Sequence, residues 1–133
     1  MQGLHLTADL LGCRAEAPLM TDPEVLRALC RREVEAAGLQ PVGELFHRFA
    51  PAEPGGPAGV TGVVLLAESH LAVHTWPELG GATLDVYVCN FGADNRERAE
   101  ALMQALVLAF EPVEVSRQRL QRGLPARAAR EPA

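Results

Sequence analysis

The densest stretch of reactive side chains runs Glu68-Ser69-His70-Leu71-Ala72-Val73-His74-Thr75-Trp76-Pro77-Glu78. Read as a strand, its alternate side chains share a face, so His70, Ala72 and His74 project together and two imidazoles can point into common space near Ser69. Three chemistries are open to that pattern. The histidines can be structural groups on an exposed sheet face, they can form part of a metal site, although no third ligand stands at a recognisable spacing, or one of them can serve Ser69 as the base of a nucleophile. Spacing alone does not choose among the three. Composition removes a fourth chemistry, because all twelve basic residues are Arg and the chain has no Lys. A lysine Schiff base, to a carbonyl substrate or to pyridoxal phosphate, cannot form. Cys13, Cys30 and Cys89 are odd in number and lack CxxC spacing, which argues against a disulfide framework or a Cys-rich zinc site.

The elements that must position these residues follow from periodicity. Gly3 to Gly12 alternates as a first strand. Thr21-Asp22-Pro23-Glu24 opens a helix with the apolar stripe Val25, Leu26, Leu29, Val34 and Ala37, closed by Gly38. Val42 to Phe49 reads as a strand, and Pro51 to Gly59, rich in proline and glycine, as a flexible loop. Val60 to Ala67 is nearly continuous apolar sequence, the pattern of a strand buried on both faces. His70 to Thr75 and Thr83 to Cys89 alternate again and can pair as a hairpin across Gly80-Gly81. Asp94 can cap a second helix with the stripe Ala99, Leu102, Met103, Leu106 and Phe110, ended by Pro112. Val113 to Leu120 is a short last strand. The expected architecture is an α+β two-layer sandwich, a mainly antiparallel sheet with two helices on one face. Residues 1–122 form its single domain and 123–133 a flexible tail.

The run from Ala67 to Glu78 closely resembles the self-cleavage segment of the prokaryotic S-adenosylmethionine decarboxylases, a family of pyruvoyl-dependent proenzymes that usually reads SESHLTIHTWPE there. Phe46-His47-Arg48-Phe49, Gly59-Val60-Thr61-Gly62-Val63-Val64 and Leu84-Asp85-Val86-Tyr87-Val88-Cys89 extend the resemblance in order, over roughly residues 3–115. It implies that the Ser69 hydroxyl attacks the Glu68 carbonyl and turns that peptide bond into an ester. β-Elimination then splits the chain, and hydrolysis of the resulting dehydroalanine leaves a pyruvoyl group, derived from Ser69, on residues 70–133. Such a carbonyl is the electron sink that decarboxylation needs, and it suits a chain without lysine. No pyridoxal phosphate and no metal are implied.

The resemblance also assigns roles. His74 matches the histidine of processing, Cys89 the acid that reprotonates the decarboxylated carbon, Phe49 an aromatic that stacks on adenine, and Glu78 a carboxylate for the ribose hydroxyls. Thr61 stands where the family commonly has a processing serine, keeping the hydroxyl and adding a methyl. Asn90 replaces a usual glycine after the acid, a residue still able to take positive φ. The implied activity is decarboxylation of S-adenosylmethionine to the aminopropyl donor for spermidine synthesis, by a homodimer of cleaved two-chain units with sites near the subunit interface. The same chemistry on ornithine or arginine is the nearest alternative, and an uncleaved, inactive partner of an active copy is an alternative of another class.

At 133 residues, 48% apolar and 22% charged, the chain suits one domain that builds a core without disulfides or structural metal. A net charge of −5 lacks the basic footprint of a nucleic-acid binder. No apolar run approaches the roughly 18 residues of a membrane span, and the first twenty residues carry Asp9, Arg14 and Glu16. The expectation is a cytoplasmic protein acting on a small molecule, with neither nucleic acid nor membrane as partner.

Overall fold

Period-two alternation and two capped amphipathic segments build most of the molecule. The computed structural model describes residues 1–90 and 92–125. In chain order the elements are β1 (Gln2–Leu11), α1 (Pro18–Thr21), α2 (Pro23–Ala36), β2 (Pro41–Arg48), β3 (Val60–Leu66), β4 (Ser69–Trp76), β5 (Gly81–Cys89), α3 (Arg96–Phe110) and β6 (Glu114–Gly123), with a 3-10 turn at Pro77–Leu79. The strands form one sheet in the order β2-β3-β4-β5-β1-β6, every neighbouring pair antiparallel. Both long helices lie on one face, α2 over β2 and β3, α3 over β1 and β5. The expected α+β sandwich is therefore the fold.

The core fills the space between that face and the helices. Leu4, Leu6, Ala8 and Leu10 of β1 and Leu84, Val86 and Val88 of β5 meet Leu102, Met103 and Leu106 of α3. Asp22 accepts a hydrogen bond from the Glu24 amide at 2.9 Å and starts α2, with Pro23 in its first turn. The buried stripe of α2 is Leu26, Leu29, Cys30 and Val34, while Val25, expected in it, stands 39% exposed. Thr75 is buried and pins three elements, donating to the Met20 carbonyl at 2.7 Å and accepting from the Val60 amide at 2.9 Å.

Three other expectations are corrected. β3 is buried on one face only. Val60, Val64 and Leu66 point at the helices, but Leu65, 49% exposed, lies on the bare face of the sheet. The last strand is longer than Val113 to Leu120, because β1 offers ladder partners as far as Gln2, which pairs with Gly123. Gly123 thus belongs to β6 rather than to a tail, Leu124 is tied to Met1 by backbone bonds, and residues 126–133 lie outside the described residues. The short helix α1 and the 3-10 turn had no periodic signal long enough to read.

Gly62 holds the register of β2 against β3. A Cβ there would lie 2.1 Å from Cε2 of Phe46, whose ring folds over the glycine. Gly62→Ala is expected to destabilise the chain by about 1–3 kcal/mol, the range of an overpacked core. A lowered urea midpoint with unchanged slope checks this.

Candidate active site

β3 and β4 are joined by a two-residue turn, Ala67-Glu68, closed by the pair Leu66↔Ser69. Glu68 has φ of 58°, in the left-handed region. A side chain there costs roughly 1–2 kcal/mol. The strain sits on the residue whose carbonyl adjoins Ser69. Ser69 is half-buried, and its Oγ accepts a hydrogen bond from the Cys89 amide at 3.0 Å. Beyond the pair His70↔Tyr87, β4 turns into the hairpin, so this side-chain contact stands where a ladder bond would otherwise be. Cys89 itself is 6% exposed.

His70 and His74 do share the bare face of the sheet, but they do not meet beside Ser69. His74 stands five steps along the strand from Ser69, roughly 16 Å at about 3.3 Å per residue. His74 belongs to a second group. Thr61 lies directly across the ladder from it, with Thr61 Oγ1 and His74 Nδ1 hydrogen-bonded at 3.0 Å. The ring of His74 is tilted against that of Trp76, with centroids 5.9 Å apart.

A third group lies further along β4. Phe49, Gly59, Thr75, Trp76, Glu78 and Pro57 surround a cavity of about 240 Å³, open to solvent. Phe49 is 49% exposed and Trp76 38%, and both line it. Gly59 lets β3 start against the end of β4, since a Cβ there would fall 2.1 Å from the Thr75 carbonyl oxygen. The 51–59 loop supplies the outer wall through Ala52 and Pro57, and with Glu53 it borders a neighbouring hollow that Glu78 also lines.

One group had no signal in the sequence. His5 Nε2 pairs with Asp85 Oδ1, His70 packs against the rings of His5 and Tyr87, and the Arg122 guanidinium lies 5.1 Å above the Tyr87 ring. Three strands contribute to this cluster through the pairs His5↔Tyr87 and His70↔Tyr87, and β6 covers its rim. Partial burial, and then the nearby His5, push the His70 imidazole below its usual range, with Asp85 opposing.

The cysteines separate by environment. Burial, with Glu44 adding to it, pushes the Cys30 thiol up to about 12, and burial raises that of Cys13. Both are poor acids at neutral pH. Asn90 does not take a positive φ. Its side chain instead accepts a hydrogen bond from the Asn95 amide at 2.9 Å. Among the described residues no group of three or more His, Cys, Asp or Glu could hold a metal ion, and no helix is long and apolar enough to cross a membrane.

Comparison with known proteins extends this geometry. Residues 4–123 match the model of the S-adenosylmethionine decarboxylase family. An S-adenosylmethionine decarboxylase proenzyme of Aquifex aeolicus is 37% identical over 122 residues, 92% of this chain and 82% of that protein. One of Archaeoglobus fulgidus is 35% identical over 121 residues, 91% of this chain and 97% of its own length. The crystal structure of the adenosylmethionine decarboxylase from Aquifex aeolicus superposes with a TM-score of 0.80 at 34% identity, covering 97% of each chain. Sequence and fold thus agree over nearly the whole chain, which belongs to the S-adenosylmethionine decarboxylase family.

Proposed function

We propose that the chain is a proenzyme that cuts itself between Glu68 and Ser69 and then decarboxylates S-adenosylmethionine to the aminopropyl donor of spermidine synthesis. The observation that carries this reading is the Glu68-Ser69 turn. A strained residue precedes the serine, and the serine hydroxyl is already held, by the amide of the residue that matches the family's acid. Membership of a family whose relatives are named proenzymes of this activity supports it.

The residues present suit a pyruvoyl group formed from Ser69. Position 69 is half-buried beside a strand end, and Cys89 adjoins it. Such a group supplies a carbonyl that condenses with the substrate amine and takes up the electrons left when CO2 departs. Cys89 would hold a proton for the carbon that loses CO2. The strained Glu68 carbonyl would accept the attack of Ser69 Oγ. His74, oriented by Thr61, would remove the α-proton of residue 69. Phe49 and Trp76 would stack on the adenine, with the Glu78 carboxylate accepting from the ribose hydroxyls.

These roles cannot be filled within one copy. Ser69 and Cys89 stand at one end of β4, the Phe49, Trp76 and Glu78 group at the other, roughly 23 Å away by strand rise, and His74 between them. A homodimer resolves this. The bare face of the sheet exposes Leu45, Leu65 and Leu120 alongside Trp76, an apolar set that a second copy can cover. A two-fold axis running between two such faces and across the strands would lay the Ser69 end of one copy over the Trp76 end of its partner. Each site would then combine Ser69 and Cys89 of one subunit with His74 and Phe49 of the partner subunit. On this reading the continuous apolar run of β3 is buried on both faces after all, the second time between subunits.

Release of labelled CO2 tests the substrate. Purified, cleaved protein is expected to release it from S-adenosylmethionine. Release from ornithine or arginine instead overturns that substrate, and a chain that stays intact and silent overturns the enzyme. Phe49→Ala is expected to weaken adenosyl-substrate binding by roughly 1–3 kcal/mol, the scale of one aromatic-base stack, and it is read from KM with kcat little changed.

A further inference from the structure

Asn95 stands immediately before α3, where an asparagine side chain ordinarily accepts a hydrogen bond from the first helical turn. It makes no such bond. Its Nδ2 is turned back and donates to the Cys89 carbonyl at 2.9 Å, while its Oδ1 accepts from Arg98 at 2.8 Å. This orientation is set by its neighbours, because a flipped amide would put oxygen against the carbonyl and NH2 against the guanidinium. The Asn95 backbone amide donates to Asn90 Oδ1 at 2.9 Å, and the Asn90 amide donates to the Gln2 carbonyl at 2.7 Å. The cap itself passes to Asp94, whose Oδ1 accepts from the Arg96 amide at 3.0 Å.

The consequence falls on Cys89. β4 turns away at Glu68, and both backbone polar groups of Cys89 are met by side chains, the amide by Ser69 Oγ and the carbonyl by Asn95 Nδ2. Without the second contact, the last peptide of β5 loses its anchor on that side. The amide that holds the Ser69 hydroxyl belongs to the same residue, so the contact that fixes this hydroxyl beside the Glu68-Ser69 bond is loosened with it.

We propose that Asn95, braced by Asn90, is a positioning residue for self-cleavage. It acts through the backbone of Cys89 on the hydroxyl of Ser69. The proposal rests on Ser69 being the scissile residue. Asn95→Asp separates it from a merely structural role. Aspartate keeps the side-chain length, the acceptor toward Arg98 and the preference for a helix start, where negative charge is favoured. It lacks the donor that Cys89 needs and faces that carbonyl with a carboxylate.

The measurement is the time course of scission of the full-length precursor on denaturing gels, with the thermal midpoint of each variant beside it. Asn95→Asp and Asn95→Ala are both expected to slow scission by on the order of tenfold, the worth of one lost hydrogen bond. The midpoint of the aspartate variant should equal or exceed that of the parent. Scission of Asn95→Asp at the parent rate overturns the proposal, as does a fall in midpoint in both variants that accounts for the slowing. A parent chain that never cleaves at Glu68-Ser69 overturns the underlying reading instead, so the two failures are told apart.

Discussion

A chain carrying Ser69→Ala and a chain carrying His74→Ala, each uncleaved when produced alone, are expected to yield cleaved product when co-expressed, and only from the His74→Ala chain. Distance along the strand requires this outcome. β4 is extended from Ser69 to Trp76, so Ser69 and His74 of one copy are held roughly 16 Å apart by the strand itself. A base must come within about 3 Å of the proton it removes. No side-chain rotation closes that gap, and His74 is already engaged with Thr61. In a mixed dimer the His74→Ala chain keeps its own Ser69 and receives His74 of the partner subunit, so it cleaves. The Ser69→Ala chain has no hydroxyl to attack with and stays intact. Loss of a general base commonly costs a hundred- to ten-thousand-fold, roughly, so the single variants should appear uncleaved over hours. Intact mass identifies which chain was cut. If the co-expressed pair stays uncleaved although mixed dimers form, His74 acts within its own chain and the two-fold arrangement is wrong.

How much of this was legible in the sequence differs between the fold and the site. Strands and helices were readable because their burial has a period, as in Leu4, Leu6, Ala8 and Leu10 or Leu102, Met103 and Leu106. The Val60 to Ala67 run misled for a physical reason. Apolar side chains on both faces say that both faces are to be covered, not that one chain covers them, and Leu65 is bare in the single copy. Alternation likewise put His70 and His74 on one face correctly, yet carried no information about distance along the strand. The proximity of Ser69 to Cys89, and of Thr61 to His74, depends on ladder register between residues 20 and 13 apart in sequence. Register is not visible in a local pattern. The His5, Asp85, His70 and Tyr87 cluster was missed for the same reason. Asn95 was missed for another, since an asparagine before a helix reads as a cap, and only the structure shows its amide turned the other way.

Cys89→Ser is expected to leave self-cleavage intact and to lower turnover by roughly a hundred- to ten-thousand-fold, the usual worth of a general acid. The two effects separate because Cys89 takes part in two contacts of different origin. Its backbone amide holds Ser69 Oγ, and its backbone carbonyl is held by Asn95. Serine preserves both. Only the thiol changes, to a hydroxyl that is a far weaker acid. If Cys89 were a packing residue, the nearly isosteric serine would cost about 1–3 kcal/mol of stability for a buried hydroxyl without a partner and leave turnover unaltered in the folded, cleaved protein. Cys30 gives the internal comparison. It is fully buried on the core face of α2, with its thiol pushed up to about 12. Cys30→Ser should therefore lower the denaturation midpoint without touching kcat, the inverse of Cys89→Ser. Gel, midpoint and kcat measured on both variants decide the matter. Normal kcat in cleaved Cys89→Ser would remove the thiol from the chemistry and return the proton donor to another group near Ser69.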